Sequence, residues 1–223
     1  MIKLNKGHAP PILQQKSAEW TRTVMDKLAG GEEPTKADKG RYAHPEIKAA
    51  LVAETHGKCA YCESKVRHIA HGDIEHVVPK SVVPARWFDW DNLTLSCDIC
   101  NGRKSDFHGD HDTFIDPYAV DPEQHFWIVG ETVFPRPGCD AAALTERLLG
   151  LNRAELVERR SERLKGLMKL LEVIERTVDP NLKGILQADF AEEAAEDKEY
   201  AALAREVMRM AHAKLGHAAH QLA

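Results

Sequence analysis

The sequence predicts an α+β fold, mainly α-helical, with a small clamped ββα unit at its centre. Three observations carry this. Cys59-Ala-Tyr-Cys62 and Cys97-Asp-Ile-Cys100 repeat one spacing. Short β-type apolar runs lie between the two pairs. Longer apolar stripes at helical period lie on both flanks.

Two residues separate the members of each cysteine pair, so both thiolates of a knuckle can reach one ion from a tight turn. Two knuckles complete a tetrahedron, which predicts structural Zn2+ on Cys59, Cys62, Cys97 and Cys100. The zinc would then tie together the two ends of an inserted unit. A redox role for one Cys-x-x-Cys is the competing reading, but neither pair sits in a βαβ pattern. The fifth cysteine, Cys139, is left as a free thiol.

With 223 residues, 43% hydrophobic and 29% charged, the chain can bury a sizeable core. No apolar run approaches the ~20 residues of a membrane span, and Met1 to Lys6 lacks the apolar centre of a signal peptide, so a cytoplasmic protein without membrane contact is expected. The net charge is −5. Residues 59–110 hold six Lys or Arg against eight Asp or Glu, so the centre of the chain is not basic. A polyanionic substrate would need a small basic face, a divalent metal or a partner protein to hold it.

Along the chain, residues 1–44 are expected as a helical arm, 45–118 as the metal-clamped unit, and 119–223 as a hairpin plus a C-terminal helical region. After Pro10-Pro11, the positions Ile12, Leu13, Trp20, Val24 and Leu28 predict a helix that Gly30-Gly31 stops. Residues 32–41 are polar and predict a loop. Pro45 opens a second helix, with Ile47, Leu51 and Val52 inward, ending near His56-Gly57. Ile74, Val77 and Val78 predict a strand leaving through Pro79. Residues 80–95 predict a loop in which Trp87, Phe88 and Trp90 are an apolar cover, then a short strand at Leu93 to Leu95. A helix beginning after Cys100 would carry Asn101 in its opening turn.

Phe126–Val129 and Thr132–Phe134 predict a hairpin turning at Gly130-Glu131. Asp140 is expected to cap a helix ending at Gly150, and Asn152 a longer one broken at Asp179-Pro180. The last stretch, about 182–215, carries a weaker stripe, and its acidic run from Glu192 to Glu199 predicts a solvated face.

Hydrolysing a phosphodiester requires a water made nucleophilic near neutral pH and a cation to absorb charge growing on phosphorus. A histidine can take the water's proton, and a divalent ion can supply the rest. Glu75-His76 at a strand end offers both kinds of group. The set Cys-x-x-Cys, Asp73-Ile-Glu75-His76-Val-Val-Pro79, Asn92-Leu, Cys-x-x-Cys-Asn101 and Lys104-Ser-Asp resembles the HNH endonucleases over about residues 45–106.

That resemblance implies a ββα-metal unit in which Glu75 is the first ligand of a catalytic ion and His76 the general base. Asn92 would steady the loop and the histidine, and Asn101 would be a second ligand. Asparagine in the last position, where histidine is commoner, implies a hard, oxygen-preferring ion, Mg2+ with Mn2+ as substitute. Asp73, two residues upstream on the strand, is a competing ligand. His108 and His111 could also complete the site, although a helix starting near Asn101 would carry them away.

The opening Met-Ile-Lys-Leu, the Asp-Ile-Glu-His run and a helical tail after Gly150-Leu-Asn-Arg153 narrow the resemblance. They are similar to the HNH nuclease subunits of Septu anti-phage systems, which also accompany some retrons. This implies a partner ATPase and invading nucleic acid, DNA before RNA, as substrate. The alternative is a non-catalytic zinc-ribbon adaptor, which needs the four cysteines but not Glu75, His76 or Asn101.

Overall fold

A computed structural model of the chain describes residues 1–66, 72–108 and 113–220, with 213–220 as backbone only. His68, His71, His111 and Asp112 lie outside the described residues, as do the side chains of His217 and His220. The fold is α+β. Helices α1 (Pro11–Ala29), α2 (Lys36–Gly40) and α3 (Pro45–Glu54) lead into the first knuckle. Strands β1 (Asp73–His76) and β2 (Leu93–Ser96) and helix α4 (Asp98–Lys104) form the central ββα unit. The hairpin β3 (Phe126–Val129) and β4 (Thr132–Pro135) follows, then α5 (Asp140–Leu149), α6 (Ala154–Arg176), α7 (Pro180–Glu192) and α8 (Ala201–His220).

Both sheets among the described residues are two-stranded and antiparallel. The register of β1 on β2 pairs Asp73 with Ser96, Ile74 with Leu95, Glu75 with Thr94 and His76 with Leu93. Period-two geometry therefore sends Asp73 and Glu75 to one face and Ile74 and His76 to the other. One buried cluster runs through the three sequence segments, from Leu13, Trp20 and Val24 of α1 through Leu51, Tyr61, Leu93 and Leu95 to Phe126, Leu149 and Leu156. The central unit is thus held from both sides. Before α1, Ile2 and Leu4 pack on Ala60, Ala201 and Ala202.

Several expectations change. Residues 32–41 are not all loop: Thr35 and Asp38 form a reciprocal capping box that starts α2. Asp38 also accepts from Lys27 at 2.6 Å, and these bonds hold its carboxyl well below the usual carboxylate range. Helix α4 starts at Asp98, ahead of Cys100, because the Cys97 sulfur caps it. Asp140 is the first helical residue of α5 and not its cap.

Asn152 does not cap α6, which begins at Ala154. Its amide instead accepts from Val133 N at 2.9 Å and donates to Val133 O at 2.7 Å, fastening the hairpin. The last stretch, about 182–215, is two helices: α7 ends at Glu192 and α8 starts at Ala201, with Tyr200 at a positive φ of 53° just before it. The acidic run is partly engaged, with Glu193 on Arg163 at 2.5 Å and Glu199 on Arg159 at 3.0 Å.

Gly150 ends α5 in the left-handed conformation, φ 59° and ψ 51°. A Cβ there would lie 2.7 Å from the Arg103 guanidinium. Gly150→Ala is expected to cost about 1–2 kcal/mol, most of it from the backbone since Arg103 can swing away. That amounts to roughly 2–4 °C of melting temperature per kcal/mol. Thermal unfolding checks it, and an unchanged midpoint would contradict it.

Candidate functional site

The knuckles deliver what their spacing predicts. The sulfurs of Cys59, Cys62, Cys97 and Cys100 all lie within 4.8 Å of one another, and three of the four residues are buried. The first knuckle is fastened to the sheet by Ala60 N to Leu95 O at 2.9 Å and closed by Cys59 N to Ser64 O at 2.9 Å. The second is the first turn of α4, where Cys100 N donates to the Cys97 sulfur at 3.4 Å. Shared hydrogen bonds among these sulfurs push the Cys62 thiol well down, while burial pushes Cys59 well up. An all-thiolate, closed, four-donor set fits Zn2+, whose binding would replace the shared protons.

His76 is 5% exposed. Its Nε2 lies 2.9 Å from the Trp87 carbonyl oxygen. A carbonyl only accepts, so Nε2 carries the hydrogen and Nδ1 keeps its lone pair. Burial pushes the imidazole down to about 4, with the Trp87 bond opposing and the Lys80 and Lys104 charges adding. The ring is therefore neutral near pH 7. The Tyr42 ring stands edge-on to it at 4.7 Å, and Lys80 lies over Tyr42 at 4.7 Å and Trp87 at 5.7 Å, so these residues cover the histidine.

The carbonyl partner is held in turn. Trp20 of α1 meets Phe88 edge-on at 5.5 Å. Trp87, Phe88 and Trp90 are all buried, which makes them the apolar cover that the sequence suggested. Asn92 is wholly buried and ties the ends of the 77–92 loop. Its Oδ1 accepts from Val78 N at 2.7 Å, and its Nδ2 donates to Val78 O and Arg86 O, both at 3.0 Å. Asn92→Ala would strand those three main-chain groups and is expected to cost about 3 kcal/mol. Denaturant unfolding measures it, and a loss below about 1 kcal/mol would show that water replaces the amide.

Glu75 and His76 leave β1 on opposite faces, so adjacency in sequence does not place their side chains together. Lys104 links them: its ammonium, 1% exposed, lies 2.8 Å from Glu75 Oε1 and donates to the His76 main-chain oxygen at 3.1 Å. Burial holds the Glu75 carboxyl above the usual carboxylate range, with Lys104 pulling it back. Asn101 Nδ2 donates to Asp73 Oδ2 at 3.1 Å. The structure thus pairs Asn101 with Asp73 and Glu75 with Lys104.

In the sequence Lys104 is only part of the Lys104-Ser-Asp run, with no role assigned, and its contacts with Glu75 and the His76 main chain are what the structure adds. It stands three residues after Asn101, on the same face of α4, and that spacing was the available signal. The side-chain oxygens of Asp73, Glu75 and Asn101 are of the kind a hard divalent ion takes, but only Asp73 and Asn101 are in contact with each other. An ion using Glu75 would compete with the Lys104 ammonium. His108 is carried by no helix, because α4 ends at Lys104 and Ser105 turns at φ 45°. It lines a cavity of about 350 Å³ with Arg86, Asp91, Asn92, Lys104 and Asp116.

Residues 59–107, which hold the four-sulfur cluster, the antiparallel strand pair, the helix after it and the buried histidine at the strand end, match the HNH endonuclease family model. The chain is also similar to two Septu PtuB proteins. One, from Bacillus thuringiensis, is 28% identical over 126 residues, covering 56% of this chain and 45% of that protein. The other, from Bacillus mycoides (strain KBAB4), is 23% identical over 211 residues, covering 78% of this chain and 71% of that protein. The chain spans less than half the length of the first. No helix among the described residues is long and apolar enough to cross a membrane.

Proposed function

We propose that the chain is a metal-dependent HNH endonuclease that hydrolyses phosphodiester bonds of DNA in the cytoplasm as the nuclease effector of a two-component anti-phage system. The observation that carries this is His76 Nε2 fixed at 2.9 Å on the Trp87 carbonyl, inside a unit clamped by four clustered cysteines. A neutral imidazole with Nδ1 bare can take a proton from water, and the carbonyl then steadies the charge formed. Asn92 holds the loop that aims the carbonyl. Lys104 holds the carboxylate and the histidine main chain together.

Glu75 and Asn101 would hold Mg2+ or Mn2+, with Asp73 as a further carboxylate, and the ion would supply positive charge against that growing on the phosphate. Lys80, whose charge acts on both Glu75 and His76, is the cation available to a phosphodiester arriving past Tyr42. A PtuA-type ATPase partner, in keeping with the PtuB relatives, would share the phosphate binding that a chain of net charge −5 does not offer freely.

The competing reading, a zinc-ribbon adaptor, draws on Glu75 being engaged by Lys104 and on the cover over His76. A nicking assay separates them. The zinc-loaded chain is offered supercoiled plasmid or single-stranded RNA, with Mg2+, Mn2+ or neither, alone and with the co-purified ATPase. Nicking of the plasmid that requires the added ion is expected. Binding without cutting in every arm would favour the adaptor.

A further inference from the structure

The turn Gly150-Leu-Asn-Arg153 between α5 and α6 has no part in the chemistry above, yet its last residue reaches the metal centre. Arg153 Nη1 lies 3.7 Å from the Cys100 sulfur and Nη2 lies 3.8 Å from the Cys97 sulfur. A guanidinium fork is matched to two acceptors side by side. Nη1 also donates to Leu149 O and Gly150 O, both at 3.3 Å. Asn152 holds the same turn to the hairpin.

A second arm comes from the start of α8. The buried Tyr200 places its hydroxyl 2.8 Å from Ser64 Oγ, and Ser64 Oγ lies 3.4 Å from the Cys62 sulfur. With that sulfur as thiolate, the Ser64 hydroxyl donates to it and accepts from Tyr200. Two of the four sulfurs thus receive a hydrogen bond from chain after residue 149, and a third is bonded to a hydroxyl, that of Ser64, which such a residue partners.

Zn2+ with four thiolates carries a formal charge of about −2. Burying that charge is costly unless donors and a counter-cation surround it. The bond from Cys100 N belongs to the knuckle itself, but the cation and the hydroxyl relay do not. We infer that the C-terminal helical region completes the zinc site, Arg153 serving Cys97 and Cys100, and Tyr200 serving Cys62 through Ser64. Zinc retention by the HNH unit therefore depends on the docking of that region, and by linkage the zinc stabilises the docking. A groove of about 650 Å³ lined by Ser64, Cys97, Ile99, Arg153 and Tyr200 runs between the two and gives solvent its access to Cys97. The inference requires the zinc but not the nuclease activity.

The test uses the full zinc-loaded chain and contains no nucleic acid. Zinc transfer to an excess of chromophoric chelator is timed for the parent, Arg153→Gln, Arg153→Lys, Tyr200→Phe and the control Arg176→Gln, whose side chain is 79% exposed. The cobalt-substituted proteins are examined for the sulfur-to-cobalt charge-transfer band. Arg153→Gln is expected to release zinc roughly 10–100-fold faster and to move the band to lower energy, because sulfur lone pairs rise when a donor is lost. Arg153→Lys keeps the charge without the fork and falls between. Tyr200→Phe gives a smaller acceleration, and the control none.

Zinc release from Arg153→Gln at the parent rate would overturn the inference. So would faster release with an unmoved band, since that assigns Arg153 to the Leu149 and Gly150 carbonyls alone. If Arg153→Gln does not fold, Tyr200→Phe decides, and release at the parent rate overturns the inference.

Discussion

Replacing His76 by alanine is expected to lower single-turnover cleavage of plasmid DNA by about 10²–10⁴-fold, the range a positioned general base contributes. The Trp87 bond fixes which nitrogen is bare, and burial keeps the ring neutral, so the parent histidine is a base at neutral pH without prior deprotonation. Alanine also strands the Trp87 carbonyl, which costs about 1–3 kcal/mol. The loss of activity must therefore be separated from loss of fold. His76→Gln serves for that, because its amide can still donate to the carbonyl but offers no base in this pH range. Both variants should keep their zinc. A glutamine variant that cuts as fast as the parent would remove His76 from the chemistry.

Cys59→Ser has the other large effect. Cys59 is 1% exposed, and its knuckle joins α3 to β2 through main-chain bonds. Structural zinc contributes about 10–16 kcal/mol in small zinc domains, against a net stability of roughly 5–15 kcal/mol for a whole folded protein. Weakening one of four ligands should therefore empty the site and unfold the central unit. Metal analysis should fall from one zinc per chain toward none, with loss of the cooperative melting transition. Cys139→Ser is the matched control: that sulfur stands 3.4 Å from His125 Nδ1, outside the four-sulfur cluster, and zinc content should not change. Equal zinc in Cys59→Ser and parent would show that the cluster is not a metal site.

The cysteine pairs, the strand around Glu75-His76, the hairpin and the helix punctuation at Pro11, Gly150 and Pro180 were legible because each is written in local spacing or turn chemistry. What was not legible depends on distant partners. Lys104 stands in the motif with no partner named until α4 is placed against β1, where Glu75 and the His76 carbonyl receive it. Asn152 reads as a helix cap until the hairpin arrives beside it. Arg153 and Tyr200 give no sign in sequence that their ends reach the cysteine cluster. The α2 capping box, by contrast, was present in Thr35-Lys-Ala-Asp38 and was hidden only by its polar surroundings.

The sealing of His76 under Tyr42 makes one measurement the most direct: the crystal structure of the zinc-loaded chain with Mn2+ and a short DNA duplex. Anomalous scattering from manganese at Glu75 and Asn101 is expected, with a backbone phosphate against it and the Tyr42 ring displaced so that His76 Nδ1, at the end of β1, reaches that phosphate around the strand end through one water. Manganese elsewhere, or DNA bound on another face with His76 still covered, would contradict that arrangement.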